Sequence, residues 1–261
     1  MRLGDKRKLA QASAFVVSNL GFTRMLKTGF VCPFLYCHGC PFAFFGCPIG
    51  GIQHFITYGQ FPFYIVGWLG IYAMLFGRAF CGWACPFGAL HDLLGRGKAR
   101  ARLRGGRFWF TKYVVLFLTL TLSWVMVDTV FCKFCPSGSL FASIPYTVLT
   151  PNPVLGTYFR VHMMTLLLVV VLALVVSRFW CRYLCPLGAF YSVFNKFNLF
   201  TIRYEAEKCE RCLVCLEVCP MGIDNVEAIG SSTNCILCGR CVEECPAEAL
   251  SFSFNVKPDK G

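Results

Sequence analysis

The sequence predicts an α-helical membrane protein of about four transmembrane helices, built on an internal two-helix repeat and followed by a small α+β domain. Hydrophobic residues make up 56% of the 261 residues and aromatic residues 16%, which is more apolar than an ordinary soluble domain. Long apolar runs fill residues 1–200, whereas residues 201–261 hold short, regular cysteine spacings. We therefore expect a transmembrane domain over 1–200 and a separate C-terminal domain over 201–261.

Four apolar runs are candidates for transmembrane helices. They cover residues 9–31, 61–80, 108–130 and 163–180. At about 1.5 Å per residue, runs of this length cross a hydrocarbon core of about 30 Å. The first run is weakened by Gln11, Asn19, Arg24 and Lys27, so an interfacial helix is the alternative there.

The charge distribution predicts the orientation of these runs. Basic residues are concentrated in residues 96–112, between the second and third runs, and the positive-inside rule places such a loop in the cytoplasm. The N-terminus and the C-terminal domain would then also be cytoplasmic, in a prokaryotic inner membrane crossed several times. Residues 203–261 have a net negative charge, whereas residues 1–202 have a net positive charge. We therefore expect this protein to associate with a membrane and a redox partner protein, and not with nucleic acid.

The C-terminal domain contains two successive C-x2-C-x2-C-x3-C-P motifs. This spacing is typical of two [4Fe-4S] clusters, because three cysteines of each motif bind one cluster and the fourth binds the other. We expect one cluster on Cys209, Cys212, Cys215 and Cys245, and the other on Cys235, Cys238, Cys241 and Cys219. The alternative is structural zinc, which would need only four of these eight cysteines and would leave the other four without a role. Tyr204, Phe252 and Phe254 are placed like the short strands of a bacterial-type 2[4Fe-4S] ferredoxin.

The cysteines before this domain form a repeat. Four copies of C-P-x-G begin at Cys47, Cys85, Cys135 and Cys185, and residues 81–90 closely match residues 181–190. Such a match indicates an internal duplication. If its two halves are related by an axis along the membrane normal, Cys81, Cys85, Cys181 and Cys185 would meet at the cytoplasmic ends of the second and fourth runs. These four inner cysteines would bind one further cluster.

A second group of cysteines is expected on the outer side. Symmetry pairs Cys40 with Cys47, whereas short spacing pairs Cys37 with Cys40, and either pair would face Cys132 and Cys135. The sequence leaves both pairings open, so the candidate cofactor-binding residues there are Cys37, Cys40, Cys47, Cys132 and Cys135. A redox-active disulfide between Cys132 and Cys135 is the alternative. We thus expect one or two Fe-S clusters in the membrane domain.

With these apolar runs, two inner C-x3-C-P motifs and a C-terminal two-cluster module, the sequence resembles the NapH-type membrane ferredoxins of periplasmic nitrate reductase systems. It also resembles the membrane and C-terminal part of NosR, a nitrous oxide reductase accessory protein. The resemblance covers most of residues 55–250 and implies that the twelve inner and C-terminal cysteines bind clusters. The outer cysteines resemble those of polyferredoxin-like membrane proteins of anaerobes.

These features predict a membrane-bound iron-sulfur electron-transfer protein. It would relay electrons between a cytoplasmic carrier or partner and the quinone pool or the outer face of the membrane. We expect a non-catalytic subunit of an oxidoreductase complex, because the sequence has no catalytic triad, nucleotide loop or paired carboxylates. A quinone site is compatible with His54, His91 or His162. The alternative is an accessory protein that supplies electrons for metal-centre or thiol reduction during assembly of another enzyme.

Overall fold

The computed structural model describes residues 2–21, 27–95, 108–152 and 156–254. The chain is mainly helical, and two short strands lie at the boundaries of its C-terminal domain. The helices are α1 (Leu3–Ser18), α2 (Pro48–Thr57), α3 (Phe63–Phe76), α4 (Ala79–Trp83), α5 (Pro86–Leu94), α6 (Thr111–Val125), α7 (Pro136–Gly138), α8 (Ile144–Leu149), α9 (Thr157–Val175), α10 (Phe179–Tyr183), α11 (Pro186–Phe194), α12 (Val214–Glu217) and α13 (Arg240–Glu243). The strands are β1 (Phe200–Tyr204) and β2 (Leu250–Phe254).

About four transmembrane helices are expected, and the structure confirms the helical fold without confirming that number. Within the described residues, α9 alone is long and apolar enough to cross a membrane, with 19 residues. Helices α3 and α6 are apolar but have only 14 and 15 residues. The predicted runs 61–80 and 163–180 are each interrupted before the first inner cysteine. The backbone turns there at Gly77 and Arg178, which have φ angles of 53° and 49°.

Gly77 shows why the second run cannot continue as one helix. Its φ of 53° and ψ of −125° are accessible to glycine but strained for other residues. A Cβ at this position would also lie 2.5 Å from Asn195 Oδ1 and 2.7 Å from Asn198 Nδ2. Hydropathy does not reveal this turn, because Ala79 and Phe80 continue the apolar run after Arg78.

The run over residues 9–31 does not form one continuous helix within the described residues. Helix α1 begins at Leu3 and ends at Ser18, residues 22–26 lie outside the described residues, and Val31 forms an isolated bridge with Gly46. The buried side of α1 is polar and includes Gln11, whose amide donates to the Gly82 carbonyl. Most of the basic loop at 96–112 also lies outside the described residues.

The repeat appears in the order of helices. A long helix, a five-residue helix and a nine-residue helix follow one another as α3, α4 and α5, and again as α9, α10 and α11. Each C-P-x-G motif begins a helix, with cysteine as the N-cap and proline in the first turn, which is a favoured position for proline. The duplication seen in the sequence is therefore also a structural one.

The C-terminal domain is closed by an antiparallel pair of strands. The register pairs Phe200 with Phe254 and Tyr204 with Leu250, as expected for strands around Tyr204, Phe252 and Phe254. The rings of Phe200 and Phe252 stack at 5.3 Å between centroids. This domain packs directly on the helical part, because Met221, Ile236 and Cys238 belong to the same buried core as the inner cysteines.

Candidate iron-sulfur sites

The C-terminal cysteines surround two adjacent cavities. The first is lined by Cys209, Cys212, Cys215 and Cys245, here called the first ferredoxin set. The second is lined by Cys219, Cys235, Cys238 and Cys241, the second ferredoxin set. Cys215 lines both cavities. The structure therefore groups these eight cysteines as the motif spacing predicts, while their binding of iron stays a prediction.

The four inner cysteines also share one cavity. Its walls include the inner set, defined as Cys81, Cys85, Cys181 and Cys185. The Sγ atoms of Cys85 and Cys185 accept hydrogen bonds from the backbone N–H groups of Gly88 and Gly188, at 3.4 and 3.3 Å. These N–H groups belong to helix N-termini, which favour negative charge on the sulfur atoms.

The inner set has the chemistry expected of ligands to an iron-sulfur cluster. Burial raises the pKa of the Cys181 thiol to about 11 and that of the Cys185 thiol well above its ordinary value. Four buried thiolates would repel one another unless a cation neutralised them. Within the described residues, no three His, Cys, Asp or Glu side chains are placed to hold a single metal ion. Four cysteines around one cavity are the number of ligands that a [4Fe-4S] cluster takes.

Two buried arginines cross-link the halves of the repeat at this cavity. Arg78 Nη2 donates to the carbonyl of Cys181 at 2.9 Å, and Arg178 Nη1 donates to the carbonyl of Cys81 at 2.8 Å. Both side chains are fully buried. The sequence analysis missed this pair, although its signal is visible: an arginine stands three residues before the first inner cysteine of each half.

Asp92 joins three parts of the chain. Its carboxylate is contacted by Arg178 at 2.5 Å, by Arg240 of α13 at 3.2 Å and by Arg7 of α1 at 3.4 Å. Burial alone would raise the pKa of Asp92, but the charges of these arginines outweigh it and hold that pKa well below its usual range. The carboxylate therefore stays ionised and links α1, the inner cavity and the C-terminal domain.

The inner set lies directly against the second ferredoxin set. A Cβ on Gly82, the residue after Cys81, would lie 2.5 Å from the Ile236 carbonyl oxygen and 3.3 Å from Cys238 Cβ. The adjacent Trp83 donates from Nε1 to the Leu237 carbonyl at 2.9 Å. Only a residue without a side chain allows this approach, so Gly82 brings the two sites together.

The outer cysteines lie in one region, and neither predicted pairing is singled out. The thiols of Cys37, Cys47, Cys132 and Cys135, here called the outer set, interact with one another electrostatically, and Cys40, which also interacts with Cys37, lies 3.4 Å from the Tyr36 hydroxyl. All eighteen cysteines have free thiols. The structure therefore contains no disulfide between Cys132 and Cys135.

The three histidines considered for a quinone site do not converge. The Nδ1 atom of His91 is hydrogen-bonded to the Phe87 carbonyl, and His54 packs against the Tyr58 ring. His162 lies between the Ser143 hydroxyl and the Cys132 carbonyl, at 2.8 Å from each. His162 is thus hydrogen-bonded to a residue of the outer set.

Two family models match the chain. A 4Fe-4S binding domain matches residues 58–110 and 161–202, which contain the inner set, and a 4Fe-4S dicluster domain matches residues 201–246. The matched segments therefore include the inner set and both ferredoxin sets. The outer cysteines lie outside both matches.

Several relatives are similar along most of the chain. An uncharacterized protein of Methanocaldococcus jannaschii is 30% identical over 81% of this chain and 87% of its own length. The putative electron transport protein YccM of Escherichia coli is 31% identical over 80% of this chain and 62% of its own length. The ferredoxin-type protein NapH of Haemophilus influenzae is 27% identical over 70% of this chain and 64% of its own length. No solved structure matches the chain. The chain belongs to the family of ferredoxin-type 4Fe-4S electron-transport proteins that includes NapH and YccM.

Proposed function

We propose that this protein is a membrane-bound relay that carries single electrons between a cytoplasmic carrier or partner subunit and the quinone pool or the outer face of the membrane. The observation that carries the proposal is the contact between Gly82 and Cys238. Electron tunnelling rates fall exponentially with distance, so a relay needs adjacent sites in contact. The ferredoxin sets and the inner set meet this requirement in series.

The proposed ligands follow from the cavities. The first and second ferredoxin sets and the inner set would each bind one [4Fe-4S] cluster. Such clusters take up and release single electrons at potentials from about −700 to +450 mV, set by hydrogen bonding, charge and burial. At the inner set, the N–H donors of Gly88 and Gly188 and the buried cations Arg78 and Arg178 would adjust the reduction potential of the cluster.

Exposure suggests where electrons enter or leave on the cytoplasmic side. Cys212 is the one exposed thiol among the eighteen cysteines, and Cys209 of the same set is half-buried. The second ferredoxin set is more enclosed, with Cys235, Cys238 and Cys241 buried. A soluble carrier would therefore dock at the first ferredoxin set, where the acidic surroundings favour a basic partner surface.

Exposed apolar side chains support attachment to the membrane. Phe63 of α3, Phe117 of α6 and Met164 of α9 are 78%, 67% and 71% exposed. Apolar surface of this extent marks a lipid or protein contact. We propose that α3, α6 and α9 face lipid, with the N-terminus and the ferredoxin-like domain in the cytoplasm.

Liposomes test the relay directly. Protein purified under anaerobic conditions is inserted with its ferredoxin-like domain outward, and dithionite is added as an impermeant reductant. The proposal predicts reduction of menaquinone in the bilayer or of ferricyanide trapped in the lumen. The variant Cys85→Ala, which keeps both ferredoxin sets, should reduce neither. If cluster-loaded protein reduces neither acceptor, the relay is refuted.

A further inference from the structure

The outer set is built on the same helix-start motif as the inner set. Cys47 is the N-cap of α2, and its Sγ accepts a hydrogen bond from the Gly50 N–H at 3.4 Å. Cys135 is the N-cap of α7, although its Sγ accepts no capping hydrogen bond. Cys85 and Cys185 stand in the same positions at the inner cavity. Both outer motifs therefore place a cysteine at a helix start as the inner motifs do, and Cys47 also has the same backbone donor.

Two further cysteines complete a group of four. The position of a Cβ on Gly138 lies 3.8 Å from Cys37 Sγ and 3.8 Å from Cys135 Cβ, which places Cys37 beside the second outer motif. The thiol of Cys47 interacts electrostatically with those of Cys32, Cys132 and Cys135, and the thiol of Cys37 interacts with those of Cys40, Cys132 and Cys135. Four thiols from two loops thus face one region.

A buried glutamine is oriented towards this group. Gln53 is fully buried, and its Oε1 accepts hydrogen bonds from Ser123 Oγ and from the Phe131 N–H, both at 3.0 Å. Because Oε1 is occupied by two donors, the amide nitrogen is turned the other way, where it donates to the Ile49 carbonyl at 3.3 Å and lies 3.6 Å from Cys132 Sγ. A buried N–H donor aimed at a sulfur atom is the kind of support that metal-bound thiolates receive from the surrounding protein.

The other two outer cysteines have different partners. Cys32 Sγ lies 3.1 Å from the Phe34 carbonyl and 3.3 Å from the Gly46 carbonyl, to which only a protonated thiol can donate. Cys40 Sγ lies by the Tyr36 hydroxyl and 3.9 Å from Asn19 Oδ1. Both thiols lie beside the outer set, since Cys32 interacts electrostatically with Cys47 and Cys40 with Cys37, but the proposal leaves them out of it. They therefore serve as matched controls.

We propose that Cys37, Cys47, Cys132 and Cys135 bind a fourth [4Fe-4S] cluster, at a site that extends the relay beyond the inner set. This inference rests on the proposed function for its role, but the binding of the cluster stands on the grouping of the thiols. Neither family model covers these four residues. Their two N-cap cysteines, two loop cysteines and buried amide donor are the observations that assign the site.

An aromatic contact connects the outer set to the inner set. Phe131 precedes Cys132, Trp180 precedes Cys181, and the centroids of the two rings are 6.1 Å apart. Trp180 also lines the inner cavity. The two sites are therefore separated by side chains in contact rather than by the width of a bilayer, so single electrons can pass between them.

Iron analysis of the full-length protein tests the fourth site. Four clusters predict about 16 irons and as many acid-labile sulfides per chain, whereas three predict about 12. The variants Cys47→Ala and Cys135→Ala should each lose about four irons and one and the same spectroscopic component. The controls Cys32→Ala and Cys40→Ala should keep the wild-type content. The EPR signals of the ferredoxin clusters report whether each variant has folded.

The outcomes separate this inference from the proposed function. A wild-type content of about 12 irons, unchanged in Cys47→Ala, would overturn the fourth site while leaving a three-cluster relay in place. Alkylation of the denatured protein without reductant gives a second readout that does not depend on how a variant folds. Protection of Cys132 and Cys135 from alkylation would identify a disulfide and would also overturn the site.

Discussion

Arg78 lies in the first half of the repeat and donates a hydrogen bond to the carbonyl of Cys181 in the second half. Arg178 lies in the second half and donates the corresponding hydrogen bond to the carbonyl of Cys81 in the first half. Each half therefore holds the first inner cysteine of the other, and a two-fold relation between the halves explains why both contacts occur. The inner set therefore takes two cysteines from each half and is complete only when the two halves pack together.

This exchange predicts a large cost for removing Arg178. The variant Arg178→Ala leaves Asp92 buried without its closest cation, and breaking a buried ion pair typically costs roughly 3 to 5 kcal/mol. Arg240 contacts the same carboxylate but is 34% exposed, so Arg240→Ala should cost less than about 1 kcal/mol. Denaturant unfolding followed by cluster absorbance measures both. Equal costs would contradict the assigned roles.

The shared inner cavity predicts that its two motifs act on one cluster. The single variants Cys85→Ala and Cys185→Ala should each lose about four irons. Both should lose the same EPR signal and retain the ferredoxin signals. The reason is that both sulfur atoms line a single cavity. If the two variants lose different signals, each C-x3-C pair serves its own cofactor and the shared site is wrong.

The basic loop predicts the topology. Reporter tags at the N-terminus, at Arg100 and at the C-terminus should all respond as cytoplasmic, and a tag at Asn152 should respond as external. The reason is that positively charged loops are retained in the cytoplasm. Labelling of single tagged sites in intact cells measures each position. A cytoplasmic response at Asn152 would refute the alternating arrangement.

Local spacing made much of the site predictable. The ferredoxin sets follow from two motifs in which each ligand lies within a few residues of the next, so few conformations satisfy the spacing. The inner set could be predicted from the repeat, because the two copies of a duplicated motif are expected to face each other across the axis that relates them. In the outer region, Cys37 lies beside Gly138 of the second outer motif, and an irregular loop has no periodicity from which this placement can be inferred.

Helix ends were less predictable than the cysteine groups. The turns at Gly77 and Arg178 divide apolar runs that hydropathy treats as continuous. Arg178 adopts a left-handed backbone conformation that only its tertiary contacts with Asp92 and Cys81 account for. Such contacts are absent from any window of sequence, so the shortened α3 and the early end of α1 were not foreseen.

The most direct test of the relay is the rate at which electrons pass from the second ferredoxin set to the inner set. In Gly82→Val the new side chain would collide with the Ile236 carbonyl and push the two sites apart. The matched control is Gly67→Ala in α3, where a Cβ meets nothing within 4 Å. Rapid freeze-quench EPR after flash reduction follows each cluster in turn.

We predict that Gly82→Val keeps the wild-type iron content but slows reduction of the inner cluster by about tenfold or more, because the step needs the two sites held at a fixed separation. Gly67→Ala should match the wild type. An unchanged rate in fully loaded Gly82→Val would contradict electron transfer through the Gly82–Cys238 contact.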